Sequence, residues 1–475
     1  MPVNLPGIAT APPPPGVHLC LGVTGHRETN PDFIANRSRI EAVLTDVLGR
    51  IDREVGAAKS ADPAIAGTRL YSLLADGTDQ IAATAALRHN WELIAPLPFG
   101  RALNLAINAH PQTAQDAEAL LGGGDFAQVM DPAVREAARR MILLAGQARL
   151  FELADRDEAV AGIYLAHLRQ SQDRHLSAVF SSETSVRVAL AGRVMIEQCD
   201  LFLAVWDGAS GAQVGGTGHT LRAALEAGAQ VVWIDARAPD RIRLLQGTES
   251  LTVPPAPLAA EELAAALKTL VQRALRPVSG KHGIEKDPLG REPWPQCSRP
   301  LWHAYRRIEA LFGASKWGDR FRDLTQTYET PDAVARGSGA ELLAATATLP
   351  GLDPEAASGI ENNVLRRFAW ADGVSAWRSD VYRGGMTANF VLAALAIVGG
   401  IFYLPLGRAH DKWAFALFEL LLLAFILGVT LVGQRRRWHG RWFETRRAAE
   451  YLRHAPIMML LGVSRAPGRW PQGTD

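Results

Sequence analysis

The sequence predicts an α/β chain: a Rossmann-like parallel-sheet domain followed by an α-helical membrane domain with a transmembrane hairpin. Three observations predict it. Short apolar runs alternate with helix-patterned segments through the first half. Three glycine-bearing loops follow apolar runs, as ligand loops do in doubly wound sheets. Two 21-residue stretches near the C-terminal end, Met386–Leu406 and Trp413–Gly433, hold one charged residue between them. Each is long enough to cross a bilayer core of about 30 Å at about 1.5 Å per residue.

The elements follow in order. Val17–Val23 is a short apolar run and reads as a buried strand that opens at Thr24-Gly25-His26-Arg27. From Ile34 to Val55, Ile40, Val43, Leu44, Val47 and Ile51 fall on one helical stripe. Thr68–Leu74 reads as a second strand, followed by Asp76-Gly77-Thr78-Asp79 and a helix to Leu87. Trp91–Leu97 reads as a third strand. The charged, Ala-rich segment from Arg101 to Ser182 reads as mostly helix. Leu201–Trp206 and Val231–Ile234 complete the strands, and a glycine-rich loop and the helix Thr220–Glu226 lie between them. Strands alternating with helices imply a parallel sheet covered on both faces.

Pro254–Pro257 reads as a hinge, Ala259–Leu275 as an amphipathic helix, and Lys281–Pro300 as a polar loop. Helices are expected at Trp302–Phe312, within Gly337–Ala357, and at Asn362–Arg383. The resulting plan is a Pro-rich lead-in at 1–16, the sheet domain at 17–250, a helical linker at 251–357, and the membrane domain at 358–475 with spans 386–406 and 413–433.

Composition narrows the function. Of the 475 residues, 50 are Lys or Arg and 49 are Asp or Glu, so net charge gives no argument for nucleic acid as a partner. The three cysteines, Cys20, Cys199 and Cys297, are far apart, which argues against a zinc site or a disulfide framework. The first 16 residues lack the basic and apolar regions of a signal peptide. Seven arginines lie between Arg435 and Arg453, against Arg408 and Lys412 between the spans. The positive-inside rule therefore places both termini on the cytoplasmic side of an inner membrane.

The candidate ligand site is the set of three loops. Thr24, Gly25, His26 and Arg27 form the first, and Asp76, Gly77, Thr78 and Asp79 the second. Gly215, Gly216, Thr217, Gly218 and Thr220 form the third, and Asp207 and Gly208 border the same edge. Glycines let backbone N–H groups approach a phosphate, and helix N-termini attract anions. Arg27 is placed to pair with phosphate. Asp79 has an ordinary alternative role as a helix N-cap, and His26 and His219 are candidate acid/base groups. No metal-ligand spacing and no GxSxG, HExxH or GxxxxGK[ST] motif is present. A nucleotide-derived ligand is expected, with no catalytic residue and no other cofactor assigned. In the second span Glu419 is the single acidic residue, and it is expected to face protein or a pore rather than lipid.

At these loops the sequence resembles the SLOG superfamily, which groups the DNA-processing protein DprA with the cytokinin-activating LOG enzymes. Leu73-Leu74-Ala75-Asp76-Gly77-Thr78-Asp79 followed by Gln80-Ile81-Ala82-Ala83 is similar to the DprA-like turn and helix. Gly215-Gly216-Thr217-Gly218-His219-Thr220-Leu221-Arg222 resembles the LOG signature Pro-Gly-Gly-x-Gly-Thr-x-x-Glu. It departs from that signature at Val214, His219 and Arg222, and Arg222 stands at the catalytic Glu position. The resemblance implies phosphate binding without LOG-type hydrolysis. The C-terminal part resembles the two-span SLATT modules, through Trp370-Ala371-Asp372, Trp377 to Arg383, the hairpin, Arg437 to Trp442 and Arg447 to Arg453. That resemblance implies a homo-oligomeric membrane effector in bacterial conflict, in which ligand binding drives assembly or opening of a pore. The alternative is a membrane-tethered enzyme acting on a nucleotide derivative.

Overall fold

The computed structural model describes residues 16–123, 126–209, 214–275, 292, 294, 304–313, 328–349 and 354–461. The expected Pro-rich lead-in lies outside them, as does the 281–300 loop apart from Glu292 and Trp294. Two compact units are present, chiefly residues 16–283 and 284–458.

The first unit is built on seven strands: β1 (Val17–Gly25), β2 (Ile65–Tyr71), β3 (Glu92–Leu97), β4 (Ala148–Glu152), β5 (Leu201–Trp206), β6 (Gln230–Asp235) and β7 (Ile242–Leu245). They run in the order β4-β3-β2-β1-β5-β6-β7. All neighbours are parallel except β6 and β7. Ten helices alternate with them: α1 (Pro31–Ala61), α2 (Thr78–Arg88), α3 (Arg101–Asn108), α4 (Ala114–Leu121), α5 (Pro132–Gln147), α6 (Asp157–Arg169), α7 (Arg174–Gln198), α8 (Thr217–Glu226), α9 (Glu249–Thr252) and α10 (Ala260–Leu275).

Central strands read as continuous apolar runs because both faces are covered, and every residue of β5 is buried. The α1 stripe of Ile40, Leu44, Val47, Leu48, Ile51 and Val55 is buried against one face. Asn30 caps α1, accepting the Phe33 backbone N–H at 3.0 Å, and Pro31 opens its first turn.

The sequence reading departs from this unit in three places. First, β4 lies inside the segment read as mostly helix. It is a sheet edge paired only with β3, and its half-exposed Ala-Arg-Leu-Phe-Glu carries no apolar run to announce it. Second, β7 was not expected; it is a four-residue antiparallel edge. Third, Pro254–Pro257 does not separate domains. After it, Leu258 N–H bonds to Ile242 O at 2.8 Å. The α10 residues Leu263, Leu267, Val271 and Leu275 then pack into the same core as α1. Four apolar residues at i, i+4 spacing need a partner face, and that face belongs to the sheet unit. The compact unit thus runs beyond the expected boundary at 250.

The second unit is helical: α11 (Ala304–Gly313), α12 (Ala340–Ala347), α13 (Pro354–Ile360), α14 (Arg366–Ile401), α15 (Lys412–Arg435) and α16 (Trp438–Leu460). A π-type turn at Glu361–Leu365 leads into α14. Two helical segments, Ala356–Ile401 and Lys412–Arg435, are long and apolar enough to cross a membrane. They pack against each other as a hairpin. The first continues unbroken from the Trp-rich segment and stops at Ile401, not Leu406. Pro405 explains the early end, since proline excludes helical backbone from the residue before it and removes a donor. Gly407, at φ +63°, then turns the chain.

A small core anchors the base of the hairpin, where Trp294, Tyr328, Trp370, Ala371, Val374 and Ala449 cluster. Buried charge surrounds it. Arg378 pairs with Glu292, and Arg441 Nε lies 3.3 Å from the same carboxylate. Asp380 accepts from Arg306 Nε at 3.0 Å and from Tyr328 OH at 3.1 Å. These partners are what permit charges to sit in a core at all.

Candidate functional site

Strand order reverses between β1 and β5, so the two loops leaving those strands diverge and open a crevice at the C-terminal edge of the sheet. A cavity of about 630 Å³ lies there, within the first unit. The β1 backbone continues beyond the sheet as His26 N–H donates to Val205 O at 3.1 Å. The ring then crosses the seam. His26 Nε2 lies 3.0 Å from the Asp207 backbone nitrogen, whose N–H it accepts when unprotonated, and 3.2 Å from Asp207 Oδ1, with which it pairs when protonated. Burial pushes the Asp207 carboxyl up, but the Ala209 N–H and His26 outweigh it and hold it below its ordinary value.

The second loop supports the first. Thr78 donates to His26 O through its backbone N–H at 3.2 Å and its hydroxyl at 3.0 Å. Gly77 has φ +86°, and a side chain there would meet His26 O at 2.7 Å. Only glycine permits that approach. Asp76 accepts the Glu28 N–H at 2.9 Å and lies 3.0 Å from His110 Nε2 and 3.9 Å from Arg27 Nε. Its burial is outweighed by His110 and Arg27, so its carboxyl is held low.

Asp79 is the second residue of α2 and not its N-cap, a position that Gly77 occupies. Its carboxylate reaches back to the end of β2, accepting from Ser72 Oγ at 3.2 Å and Leu73 N–H at 3.1 Å. Burial pushes this carboxyl up to about 7, against those hydrogen bonds and the charge of Arg27.

The third loop supplies the anion-attracting wall. Gly215 has φ +77° and passes so close to α7 that a side chain would meet Ser185 O at 2.7 Å. Gly216 is the N-cap of α8 and has no side chain to satisfy the first-turn N–H groups. Thr217, Gly218 and Thr220 follow on the cavity wall.

Of the residues singled out from sequence, Thr24, Gly25, His26, Arg27, Asp79 and Asp207 line the cavity, with Gly215, Gly216, Thr217, Gly218 and Thr220. Asp76, Gly77 and Thr78 lie behind that wall and brace it, and Gly208, at φ +79°, only turns the chain. His219 and Arg222 are off the wall. Sequence reasoning missed the side supplied by β3 and α3, where Phe99, Asn104, Ile107 and Asn108 line the cavity, together with Phe180 and Ser185 of α7. The available signal was topological. The loop after β3 leaves the same sheet edge as the other three, although it carries no glycine run.

Among the described residues no group of three or more His, Cys, Asp and Glu side chains could hold a metal ion. The arrangement suits an anionic small molecule, with helix N–H groups and Arg27 at one end and apolar and amide side chains at the other. No family model, curated protein or solved structure matches this chain.

In the second unit, Glu419 is half-buried and turned toward the facing helix of its own hairpin. A side chain added at Gly400 would come within 2.5 Å of its Oε2.

Proposed function

We propose that this chain is a membrane-anchored sensor and effector, in which a nucleotide-derived ligand occupies the sheet-edge cavity and biases the state of the membrane hairpin. One observation carries the reading: the uncapped N-terminus of α8 forms part of the wall of a 630 Å³ cavity at the reversal of strand order. That volume falls in the range of small-molecule sites, and N–H groups at a helix N-terminus favour a phosphate. The membrane role is supported by the apolar hairpin, of whose second helix no residue is buried. Homo-oligomerisation into a pore, and a part in bacterial defence, are carried over from the resemblance to SLOG and SLATT modules, and Glu419, the single acidic residue of the second span, is the candidate pore-lining group. The arginines after the second span support a cytoplasmic location for both ends. A topology reporter fused after Asp475 is then active only on the cytoplasmic side, and periplasmic activity sinks the orientation.

A second reading is a membrane-tethered enzyme on a nucleotide derivative. It is favoured by Asp79, a residue of the cavity lining whose buried carboxyl is pushed up to about 7, near the range of a general acid or base.

Titration of the full chain in detergent with nucleoside mono- and diphosphates tests both. Stoichiometric binding without product supports the sensor, and turnover supports the enzyme. Gly216→Val should abolish binding without lowering the unfolding midpoint. Arg27→Ala should weaken it by about 1–3 kcal/mol. Unchanged affinity in both variants moves the site elsewhere.

A further inference from the structure

The α3 wall of the cavity holds two asparagines one helical turn apart. Asn104 is fully buried and Asn108 is 5% exposed. The orientation of both amides follows from their hydrogen bonds. Asn108 Nδ2 donates to the Asn104 backbone O at 2.8 Å, a role its oxygen cannot fill. The same Nδ2 lies 3.3 Å from the Asn104 side-chain oxygen, which must accept. This leaves one donor, Asn104 Nδ2, and one acceptor, Asn108 Oδ1. Both are buried, and neither has a hydrogen-bond partner.

An unpaired buried polar atom is unfavourable, and native proteins seldom keep two together without a reason. Here the pair sits on a cavity wall, on the same helix face as Ile107, with Phe99 and Phe180 also lining the space. Apolar and aromatic surface beside one donor and one acceptor is the complement of a nucleobase. A base offers a flat face for stacking and an edge with adjacent acceptor and donor atoms. The spacing also fits. The α3 loop leaves β3 and the α8 loop leaves β5, three strand positions away in the sheet. At about 4.8 Å per strand that is roughly 14 Å, a span for an extended molecule rather than for a bare phosphate.

We infer that Asn104 and Asn108 form the base-reading subsite of the cavity, binding the polar edge of a nucleobase whose phosphates lie toward α8. The inference rests on the nucleotide reading above and goes beyond it by dividing the cavity into a phosphate end and a base end. It gives Asn104 Nδ2 a ring acceptor, and Asn108 Oδ1 an exocyclic amino or ring N–H donor.

The test uses the full chain in detergent, with ADP, GDP, CDP, UDP and inorganic pyrophosphate as probes in calorimetric titrations. At least one nucleoside diphosphate should bind tenfold or more tightly than pyrophosphate. Asn104→Leu and Asn108→Leu should each lose at least tenfold toward that nucleotide while leaving pyrophosphate affinity unchanged. Each keeps the size of the side chain, and unfolding midpoints report whether the variants are folded. An arm without mutation guards against misfolding. If ADP is the preferred probe, purine riboside 5′-diphosphate, which lacks the 6-amino donor, should bind the native chain at least tenfold more weakly. For the other bases, the matching analogue without the exocyclic amino or ring N–H group serves. Pyrophosphate binding with no preference for any base, or equal losses for pyrophosphate and nucleotide in the variants, overturns the base subsite and leaves the phosphate end standing. Failure of every probe to bind overturns the nucleotide reading, and this inference with it.

Discussion

In the sheet unit the apolar side chains are inside, and in the hairpin they are outside. All six residues of β5 are buried, whereas α15 has no buried residue although it is the more apolar of the two candidate spans. Burial from water explains the first arrangement, whereas exposed Phe425, Leu427 and Leu431 would be costly in water unless lipid or another chain covers them. The glycines add a narrower contrast. At the two positive-φ turns Gly77 and Gly215 of the sheet unit an added Cβ would meet backbone, His26 O and Ser185 O, whereas at Gly22 and Gly25 it would meet the side chains of Phe202 and Thr78. In the hairpin glycines let a helix accept a bulky side chain. Gly399 faces Phe418, Gly400 faces Glu419, and Gly385 and Gly433 face Trp438. Small residues allow close helix approach where lipid supplies no hydrophobic drive. A neighbour made of backbone cannot yield, and a neighbour made of side chain can.

The largest effect is therefore expected at Gly77. Gly77→Ala adds a side chain at φ +86° and 2.7 Å from His26 O, so strain and overlap add. A loss of about 3–5 kcal/mol is expected, read as a lowered denaturation midpoint of the sheet unit. The β1 loop should lose its ligand competence as well. A midpoint within error of the native chain would show that the turn can move, and would remove the contrast with the hairpin.

The sequence revealed these features unequally. The strands β1, β5 and β6 were legible because both sheet faces are covered, which turns alternation into an unbroken apolar run. The edges β4 and β7 were not, since a strand with one neighbour and a half-exposed surface leaves no such trace. Three of the loops at the cavity were legible through their glycines. The α3 wall was not, because Asn104 and Asn108 in a short helix look like ordinary surface residues until the fold buries them. Asp79 was read as more ordinary than it is. Its position at a helix start suggested a cap, and only the structure shows its carboxylate turned back under Ser72 and Leu73.

Asp79 gives the next effect in size, and it sharpens the comparison by placing a charge in an apolar setting within the sheet unit. Its folded carboxyl titrates at about 7, above the ordinary value of 3.8. The folded state therefore holds this proton more tightly than the unfolded state. Stability falls as pH rises from about 4 to about 7, and is level outside that window. Asp79→Asn keeps an acceptor for Ser72 and Leu73 and removes the ionisation. Relative to the native chain, it should gain about 2–3 kcal/mol between pH 5 and pH 8, at about 1.4 kcal/mol per pH unit across the window. Chemical denaturation at the two pH values measures this. An identical difference at both would show that Asp79 is ionised throughout.

The smallest effect belongs to Gly400, and it tests whether a yielding neighbour is what separates Gly400 from Gly77. An added Cβ at Gly400 meets only the end of Glu419, at 2.5 Å from Oε2. That carboxylate can swing away, at the loss of its place beside α14. Alanine is also the better helix former, by about 1 kcal/mol. The two contributions oppose each other, so Gly400→Ala alone should change hairpin stability by less than about 1 kcal/mol. In a Glu419→Ala background the obstacle is gone and only the helix preference remains. There the same substitution should stabilise by about 1 kcal/mol. The difference between backgrounds is the coupling of the pair, read from a double-mutant cycle on unfolding in mixed micelles. A substitution at Gly400 with the same effect in both backgrounds would show that Glu419 does not pack there. Glu419 would then turn outward from its own hairpin, toward lipid or toward a second copy of the chain.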